Sequence, residues 1–362
     1  MITAPTPKEL GNYMPAEWEE HEATWLAWPN PRLKYWGERL AGVEKIYAQM
    51  VEALHRSEKV HMQVYDAEME RDVKQKLQRA KVPLDHIVFF ETKNMDVWTR
   101  DHGPIFVKNG SGDIAITHWI FNGWGRYNDL AADTSVPARI HELTGLPYFN
   151  AGIVLEGGSI EVNGDGTIIT TEQCLYHKNR NPFLSQEEIT QRLEDFLGVD
   201  EILLLKKGLY KDDTAGHVDN IMRFVGPKRV VCVEERDRKD KNYRHLKRNK
   251  EAMVNEGFDV VSLPTPGVVK VDGERRAASY ANFYIGNKVV LAPIFWREQD
   301  AEAVGILHDE FPERRIVPIN CLDLVASGGT IHCVTQQQPK GKNWSKLMKK
   351  VLGNSLRYIN DD

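Results

Sequence analysis

The order of apolar and polar positions predicts alternating helices and strands. Leu40, Val43, Ile46, Tyr47, Met50, Val51 and Leu54 recur at helical spacing between Trp36 and Ser57, so one face of a helix is apolar. Lys59–Tyr65 alternates with period two and reads as a strand. Asp66 is placed to cap a helix running to about Ala80, and His86–Phe90 is a short buried strand. Upstream, Pro15–Pro31 carries Trp18, Trp25 and Trp28 and reads as a packed aromatic strand.

The remaining chain repeats one device: a polar, Gly-containing loop, a strand, a turn, a second strand, and commonly a helix and a third strand. Asn94–Pro104 is a polar loop feeding strands Ile105–Lys108 and Ile114–Phe121 and a helix over Thr134–Leu143. Glu156-Gly-Gly opens a hairpin, Ser159–Val162 and Thr167–Thr171, around the turn Asn163-Gly-Asp-Gly. Helix Ser185–Leu197 and strand Glu201–Leu205 follow. Asp212–Asp219 runs into strand Val218–Val225, then strand Arg229–Glu234 and a basic helix over Lys239–Glu256. Ser279–Ile285 turns at Gly286-Asn287 into Lys288–Pro293, with helix Gln299–Phe311 and strand Arg315–Ile319 behind it. Ser327-Gly-Gly feeds a β-prone run, Thr330–Thr335, and the tail beyond Pro339 is polar.

One marker from each unit, Asp101, Glu156, His217, Asn282 and Cys333, gives gaps of 55, 61, 65 and 51 residues. Five modules of similar length imply pseudo-symmetry. Radial packing would carry the five loop–strand junctions to one axis, so that distant residues share a pocket. The expected fold is therefore α/β, a five-bladed propeller with its site on the axis, formed by a single domain over residues 1–362; a two-domain α/β protein is the competing architecture.

Composition narrows the function more than the fold. The net charge of −5 gives no basic footprint for nucleic acid. No apolar run reaches the roughly 18 residues of a membrane span, and the N-terminus has no signal-peptide pattern. Cys174, Cys232, Cys321 and Cys333 are widely spaced, without CxxC or zinc-ligand spacing. A reduced, cytoplasmic chain is the expectation.

Cys333 stands out among the thiols. Cys232, in Val-Val-Cys-Val, reads as a small core hydrophobe. Cys333 lies between Ser-Gly-Gly and Gln-Gln-Gln-Pro, flanks that suit an accessible strand end. As a strand residue it would share a face with Ile331 and Thr335, and His332 would point away. His217 and Asp219 stand at i and i+2, on one strand face, as a base with a partner or as a structural pair. Asp101 follows Arg100 and could equally be a loop ion pair; Glu156 could be a solvated turn residue, and Trp98 a core residue. Together they suggest a chemistry. A thiolate needs an electrophilic carbon, and carboxylates around it favour a cation. A guanidinium offers planar donors that carboxylates accept bidentately. Guanidinium attack suits the set better than peptide hydrolysis, although a catalytically silent polyamine-binding protein would carry similar residues.

Met14-Pro-Ala-Glu-Trp-Glu-Glu-His21, Trp98-Thr-Arg-Asp-His-Gly-Pro104, Glu156-Gly-Gly-Ser-Ile160, Thr170-Thr-Glu-Gln-Cys-Leu175, Gly216-His-Val-Asp-Asn220 and Ile331-His-Cys-Val-Thr-Gln-Gln-Gln-Pro339 occur in that order. In these motifs the chain resembles the agmatine deiminase and bacterial-type peptidylarginine deiminase family of the guanidine-group-modifying superfamily. The resemblance implies a five-bladed α/β propeller without metal or organic cofactor, acting on a small cationic substrate, and a homodimer. It implies hydrolysis of agmatine to N-carbamoylputrescine and ammonia through an amidino-cysteine, with peptidyl or free arginine as the alternative substrate and amidinotransfer as a further outcome. By the same resemblance Cys333 is the nucleophile and His217 the acid and base. Asp101 and Asp219 clamp the guanidinium, Glu156 binds it and assists proton transfer, Trp98 walls the pocket, and Asp213 meets the far amine. Ala326-Ser-Gly-Gly-Thr330 and Phe295-Trp-Arg-Glu-Gln299 depart from the family pattern and are expected at the pocket rim.

Overall fold

The structure is a computed structural model and describes residues 5–343. Its strands form five principal mixed sheets that follow one rule. An antiparallel hairpin is followed by a helix, and the next strand returns parallel to the second hairpin strand. A parallel return needs a crossover long enough for a helix, and each unit supplies one.

The first sheet joins Ile105–Asn109, Asp113–Ile120 and, after helix Val136–Thr144, Tyr148–Val154. The second joins Ile160–Val162, Thr167–Thr171 and, after helix Gln186–Leu197, Glu201–Leu205. The third joins Met222–Gly226, Arg229–Glu234 and, after helix Tyr243–Asn255, Asp259–Pro264. The fourth joins Tyr284–Ile285, Val289–Ile294 and, after helix Asp300–Glu310, Arg315–Asn320. The fifth is made from both ends of the chain. Thr335–Pro339 pairs antiparallel with His21–Ala27, which is followed by helix Leu40–Leu54 and the parallel strands Lys59–Val64 and Ile87–Glu91. This pairing closes the ring of five blades, and Trp25 Nε1 donates to Gln338 Oε1 across it at 2.9 Å.

The sheets are buried because helices cover them. Val230, Val231, Cys232 and Val233 are all fully buried, as expected for a parallel-edged sheet packed on both faces. The predicted cap is present, and a second helix adds one that was not predicted. Asp66 accepts from Met69 N, and Ser185 with Glu188 forms a reciprocal capping box.

Several expectations are corrected. Cys333 is not in a strand: it lies in a 3-10 turn, His332–Val334, and the strand begins at Thr335. His332 therefore does not alternate away from the site. His217 likewise precedes a 3-10 turn, Val218–Asn220, and the strand starts only at Met222. Asp101 lies in a one-turn helix, Thr99–His102. Tight turns at these junctions replace period-two geometry, so i and i+2 reasoning fails there. Strands Tyr148–Val154 and Asp259–Pro264 were not anticipated. The first is broken by Gly152 at φ 71°, and both are half exposed, which hides their apolar signal. The tail beyond residue 343 lies outside the described residues.

Candidate active site

Each blade begins its innermost strand with a turn, and each turn delivers a polar side chain. Asp101 precedes Ile105–Asn109 and Glu156 precedes Ile160–Val162. His217 and Asp219 precede Met222–Gly226, Asn282 precedes Tyr284–Ile285, and Cys333 precedes Thr335–Pro339. All six are buried. His217 Nδ1 lies 3.8 Å from Asp101 Oδ1, and its Nε2 lies 3.9 Å from Glu156 Oε2. The Cys333 thiol faces Asp219 Oδ2 at 3.7 Å and receives Asn282 Nδ2 at 3.3 Å. Two glycines make this approach possible. A Cβ on Gly158 would fall 2.5 Å from His217 Nδ1, 2.8 Å from Asp101 Oδ1 and 3.0 Å from Asp219 Oδ2. A Cβ on Gly329 would fall 2.5 Å from the Trp98 ring and 3.0 Å from Cys333 Sγ. Any larger residue fills the space the cluster encloses.

The carboxylates are held differently. Asp101 accepts from Gly158 N at 3.0 Å and from Trp124 Nε1 at 2.8 Å. Asp219 Oδ2 meets His332 Nδ1 at 2.8 Å, and its Oδ1 has no partner. Glu156 Oε1 accepts from Arg180 Nε at 2.7 Å. Both ring nitrogens of His217 lack a hydrogen bond although the residue is fully buried. Unpaired buried polar atoms are costly and call for an explanation; here the His217 nitrogens stand 3.8 Å from Asp101 and 3.9 Å from Glu156, within the acidic cluster.

Burial sets the protonation states. Burial and neighbouring Glu156 push Asp101 up to about 7. Burial, then Asp101, raises Asp219 well above the usual carboxylate range. Burial raises Glu156 as well, against the opposing pull of Arg180. Burial, reinforced by Arg180, drives His217 well below its ordinary value, so the imidazole is neutral. Burial, then Asp219 and Asp101, raises the Cys333 thiol well above its usual range. The cluster thus resists accumulating negative charge, and a cation entering it would reverse the upward shifts of its acids and thiol.

A mouth opens over the cluster. The inner part is lined by Trp98, Asp101, Trp124, Asp213, Gly329 and Cys333. It widens into a cavity of about 670 Å³ bounded by Tyr35, Trp36, Glu38, Asp96, Tyr127, Asp129, Asp272 and Ser327, with Arg39 and Arg276 the basic side chains of its lining among the described residues. Trp98 lies in the wall of both parts. Asp213 stands at the rim, half exposed, in an ion pair with Arg126 at 3.0 Å. The departing segment Ser327–Gly329 lines the mouth, whereas Trp296 is 72% exposed and lines neither part. The expectation that both departing segments meet at the rim is corrected to the first alone.

Sequence reasoning missed Trp124, Arg180, His332, Glu17 and the role of Asn282. Glu17 and His332 fall inside the quoted motifs, but a glutamate in an N-terminal stretch and a histidine expected to point away gave no chemical cue. Glu156, Cys174 and His217 offer three donor atoms within 4.8 Å of one another, a spacing a metal ion could bridge. Arg180 already places its guanidinium against Glu156 and, at 3.8 Å, against Cys174. A second cation there would meet its charge, so the donor set fits a metal poorly.

Five mixed sheets surround a buried thiol, imidazole and carboxylate cluster, and similarity to known deiminases makes the chain a hydrolase of carbon–nitrogen bonds. Residues 13–339 match the Porphyromonas-type peptidyl-arginine deiminase family, and the chain belongs to it. An agmatine deiminase of Pseudomonas fluorescens is 38% identical over 366 residues, spanning 92% of this chain and 97% of that one. One from Ectopseudomonas mendocina is 37% identical over 365 residues, with 92% and 97% covered. The solved agmatine deiminase of Enterococcus faecalis superposes with a TM-score of 0.86 at 32% identity, covering 94% of this chain and 99% of that one.

Proposed function

We propose that the chain hydrolyses agmatine to N-carbamoylputrescine and ammonia, as one catalytic unit, through a covalent amidino-cysteine. The observation that carries this reading is the acid-lined cluster itself, in which Asp101, Asp219 and Glu156 surround a buried His217 and Cys333. The planar guanidinium enters between the carboxylates. Asp101 and Asp219 accept its N–H donors, and Glu156 Oε2, the oxygen not held by Arg180, accepts another. The cation offsets the negative field that raises the Cys333 thiol, so the thiolate forms once substrate is bound. The thiol proton passes to His217. Sulfur then attacks the guanidinium carbon to give a tetrahedral adduct, and His217 returns the proton to the departing nitrogen. Ammonia leaves and a thiouronium remains. His217, neutral again, takes a proton from water as the hydroxyl oxygen bonds to carbon. The carbon–sulfur bond breaks as the hydroxyl proton is lost to solvent, the thiolate takes back the proton held by His217, and the ureido product departs.

Trp98 forms the wall along the alkyl chain, and Asp213 at the rim meets the terminal ammonium. Relatives named agmatine deiminase at 37–38% identity support this tail. Free or peptidyl arginine is the second reading. Arg126, 3.0 Å from Asp213, and the cavity-lining Arg39 and Arg276 favour free arginine, whose carboxylate needs a cation, and the matching family is named for peptidyl-arginine.

The test is ammonia release from agmatine and from arginine in parallel, with Cys333→Ser as control. Release from agmatine alone, lost in Cys333→Ser, is the expected result. Release from arginine alone overturns the tail assignment, and activity surviving in Cys333→Ser overturns the nucleophile.

A further inference from the structure

Behind the nucleophile a buried chain runs from Asp219 to two groups that the mechanism above does not use, His332 and Glu17. Asp219 Oδ2 meets His332 Nδ1 at 2.8 Å, and His332 Nε2 meets Glu17 Oε2 at 2.9 Å. Each contact sets an imidazole nitrogen against a carboxyl oxygen, so each needs one proton. Two protons therefore occupy the chain Asp219–His332–Glu17. Where the first of them sits is the open variable. If it is on oxygen, Asp219 is an acid and His332 a neutral imidazole; if on nitrogen, Asp219 is a carboxylate and His332 an imidazolium.

The surroundings make both arrangements accessible. Glu17 is tied to Arg100 Nη2 at 3.1 Å, to Arg223 Nη2 at 2.7 Å and to the backbone N–H of Ile285 at 2.8 Å. Arg223 also binds Glu161 at 2.8 Å. Arg100 and Arg223 thus meet Glu17 and Glu161, the latter pushed up to about 7 by burial, and their charge also reaches the pair Asp219–His332. After burial, Asp101 and Asp212 raise Asp219 while Arg223 and Arg100 oppose them, and the same two arginines, opposed by Glu17, act on His332; the Cys333 thiol lies 3.7 Å from Asp219 Oδ2. Without a cation in the site, burial and Asp101 favour the acid form of Asp219. Burial and the two arginines favour neutral His332. A guanidinium beside Asp219 reverses this preference by favouring the carboxylate.

We propose that the proton between Asp219 and His332 moves from carboxyl oxygen to imidazole nitrogen when a guanidinium enters, so that the site gains its anion without releasing a proton to solvent. One O–H bond breaks and one N–H bond forms along a single hydrogen bond, and the net charge of the pair stays zero. His332 is a positioning residue: it touches no substrate and acts through Asp219. The inference rests on the reading that Asp219 meets the guanidinium.

The experiment uses the full chain carrying Cys333→Ala, which cannot turn over, with agmatine and with the plain guanidinium ion as probes. Calorimetry in buffers of different ionisation enthalpy counts protons exchanged on binding, and NMR follows the His332 N–H protons, identified by their loss in His332→Gln. The expected result is a second His332 N–H resonance that grows with ligand. Adding His332→Gln should release about one more proton on binding and weaken affinity about tenfold or more, the scale of one charge-assisted hydrogen bond. Should His332→Gln fail to fold, Glu17→Gln weakens the imidazolium's anchor and should move both readouts in the same direction. Unchanged proton count and affinity in the folded variant, or a His332 signal indifferent to saturating ligand, overturns the proposal. Guanidinium binding that shifts His332 while agmatine fails to bind overturns the agmatine reading and upholds the relay. Failure of both probes to bind overturns the relay, which requires a guanidinium site.

Discussion

Arg180→Gln is the sharpest test of how the site is held. Arg180 is 5% exposed and Glu156 is 1% exposed. Besides Glu156, the arginine donates to Trp124 O at 2.9 Å, Asn179 Oδ1 at 2.7 Å and Thr214 O at 2.8 Å. It thereby joins three loops, and glutamine cannot reach them all. Removing one partner of a buried pair costs about 3–5 kcal/mol, because the remaining charge is left without compensation. Glu156 limits that cost by taking up a proton, since its folded-state affinity for one is already raised. We therefore expect about 3 kcal/mol near neutral pH, the lower end of that range. An unfolding entropy of about 2.1 cal/mol/K per residue over 362 residues gives roughly 0.8 kcal/mol/K, and so a melting point about 4 °C lower. The pH dependence has a definite sign. A carboxyl whose folded pKa lies above its unfolded value of about 4.5 favours the folded state most at low pH, and that contribution is lost as pH rises through the folded pKa. The deficit of Arg180→Gln should accordingly shrink as pH falls toward about 5 and grow through neutrality. Activity should fall with it and recover in part at higher pH, where Glu156 ionises. Differential scanning calorimetry at two pH values, with ammonia release across the same range, reads both. A variant that melts with the parent at both pH values and keeps its pH profile would refute the reasoning.

Four further outcomes follow from the same geometry. Arg126→Ala removes a half-exposed ion pair, so stability should change by less than about 1 kcal/mol; with Asp213 released, KM for agmatine should fall and activity on free arginine, if any, should disappear. Gly158→Ala puts a methyl group into the space between His217, Asp101 and Asp219, and kcat/KM should drop by at least about a hundredfold, the scale of a misplaced reacting group. Asp101 is pushed up to about 7 and must be ionised to hold a cation, so KM for agmatine should fall as pH rises through about 7 and then level. Trp124→Phe deletes an N–H that favours the charged form of Asp101, so the same transition should move to higher pH in a steady-state titration.

The fold was legible because each blade repeats a long-period signal. Apolar strands, Gly-containing turns and amphipathic helices recur five times, and the ring makes the spacing between Asp101, Glu156, His217, Asn282 and Cys333 meaningful. The two missed strands, Tyr148–Val154 and Asp259–Pro264, are half-exposed returns whose partners are set by the helices before them rather than by their own alternation. At the site, residue types that are rare in cores announced themselves, but their supports did not. Asn282 was visible only as the symmetry equivalent of the other junctions, and nothing in Ser279–Ile285 says that its amide reaches the Cys333 sulfur. His332 was misassigned for a physical reason: a strand would send neighbours to opposite faces, whereas the 3-10 turn at His332–Val334 lets the thiol and the imidazole both reach Asp219 Oδ2. Glu17 contacts His332 from 315 residues away in the chain, across the pairing that closes the ring. Such contacts exist only once the last blade is built from both chain ends, so folding itself completes the charge arrangement behind the nucleophile. A chain with an unpaired fifth blade would keep every residue named at the site and still lack the proton chain that makes Asp219 an anion on demand.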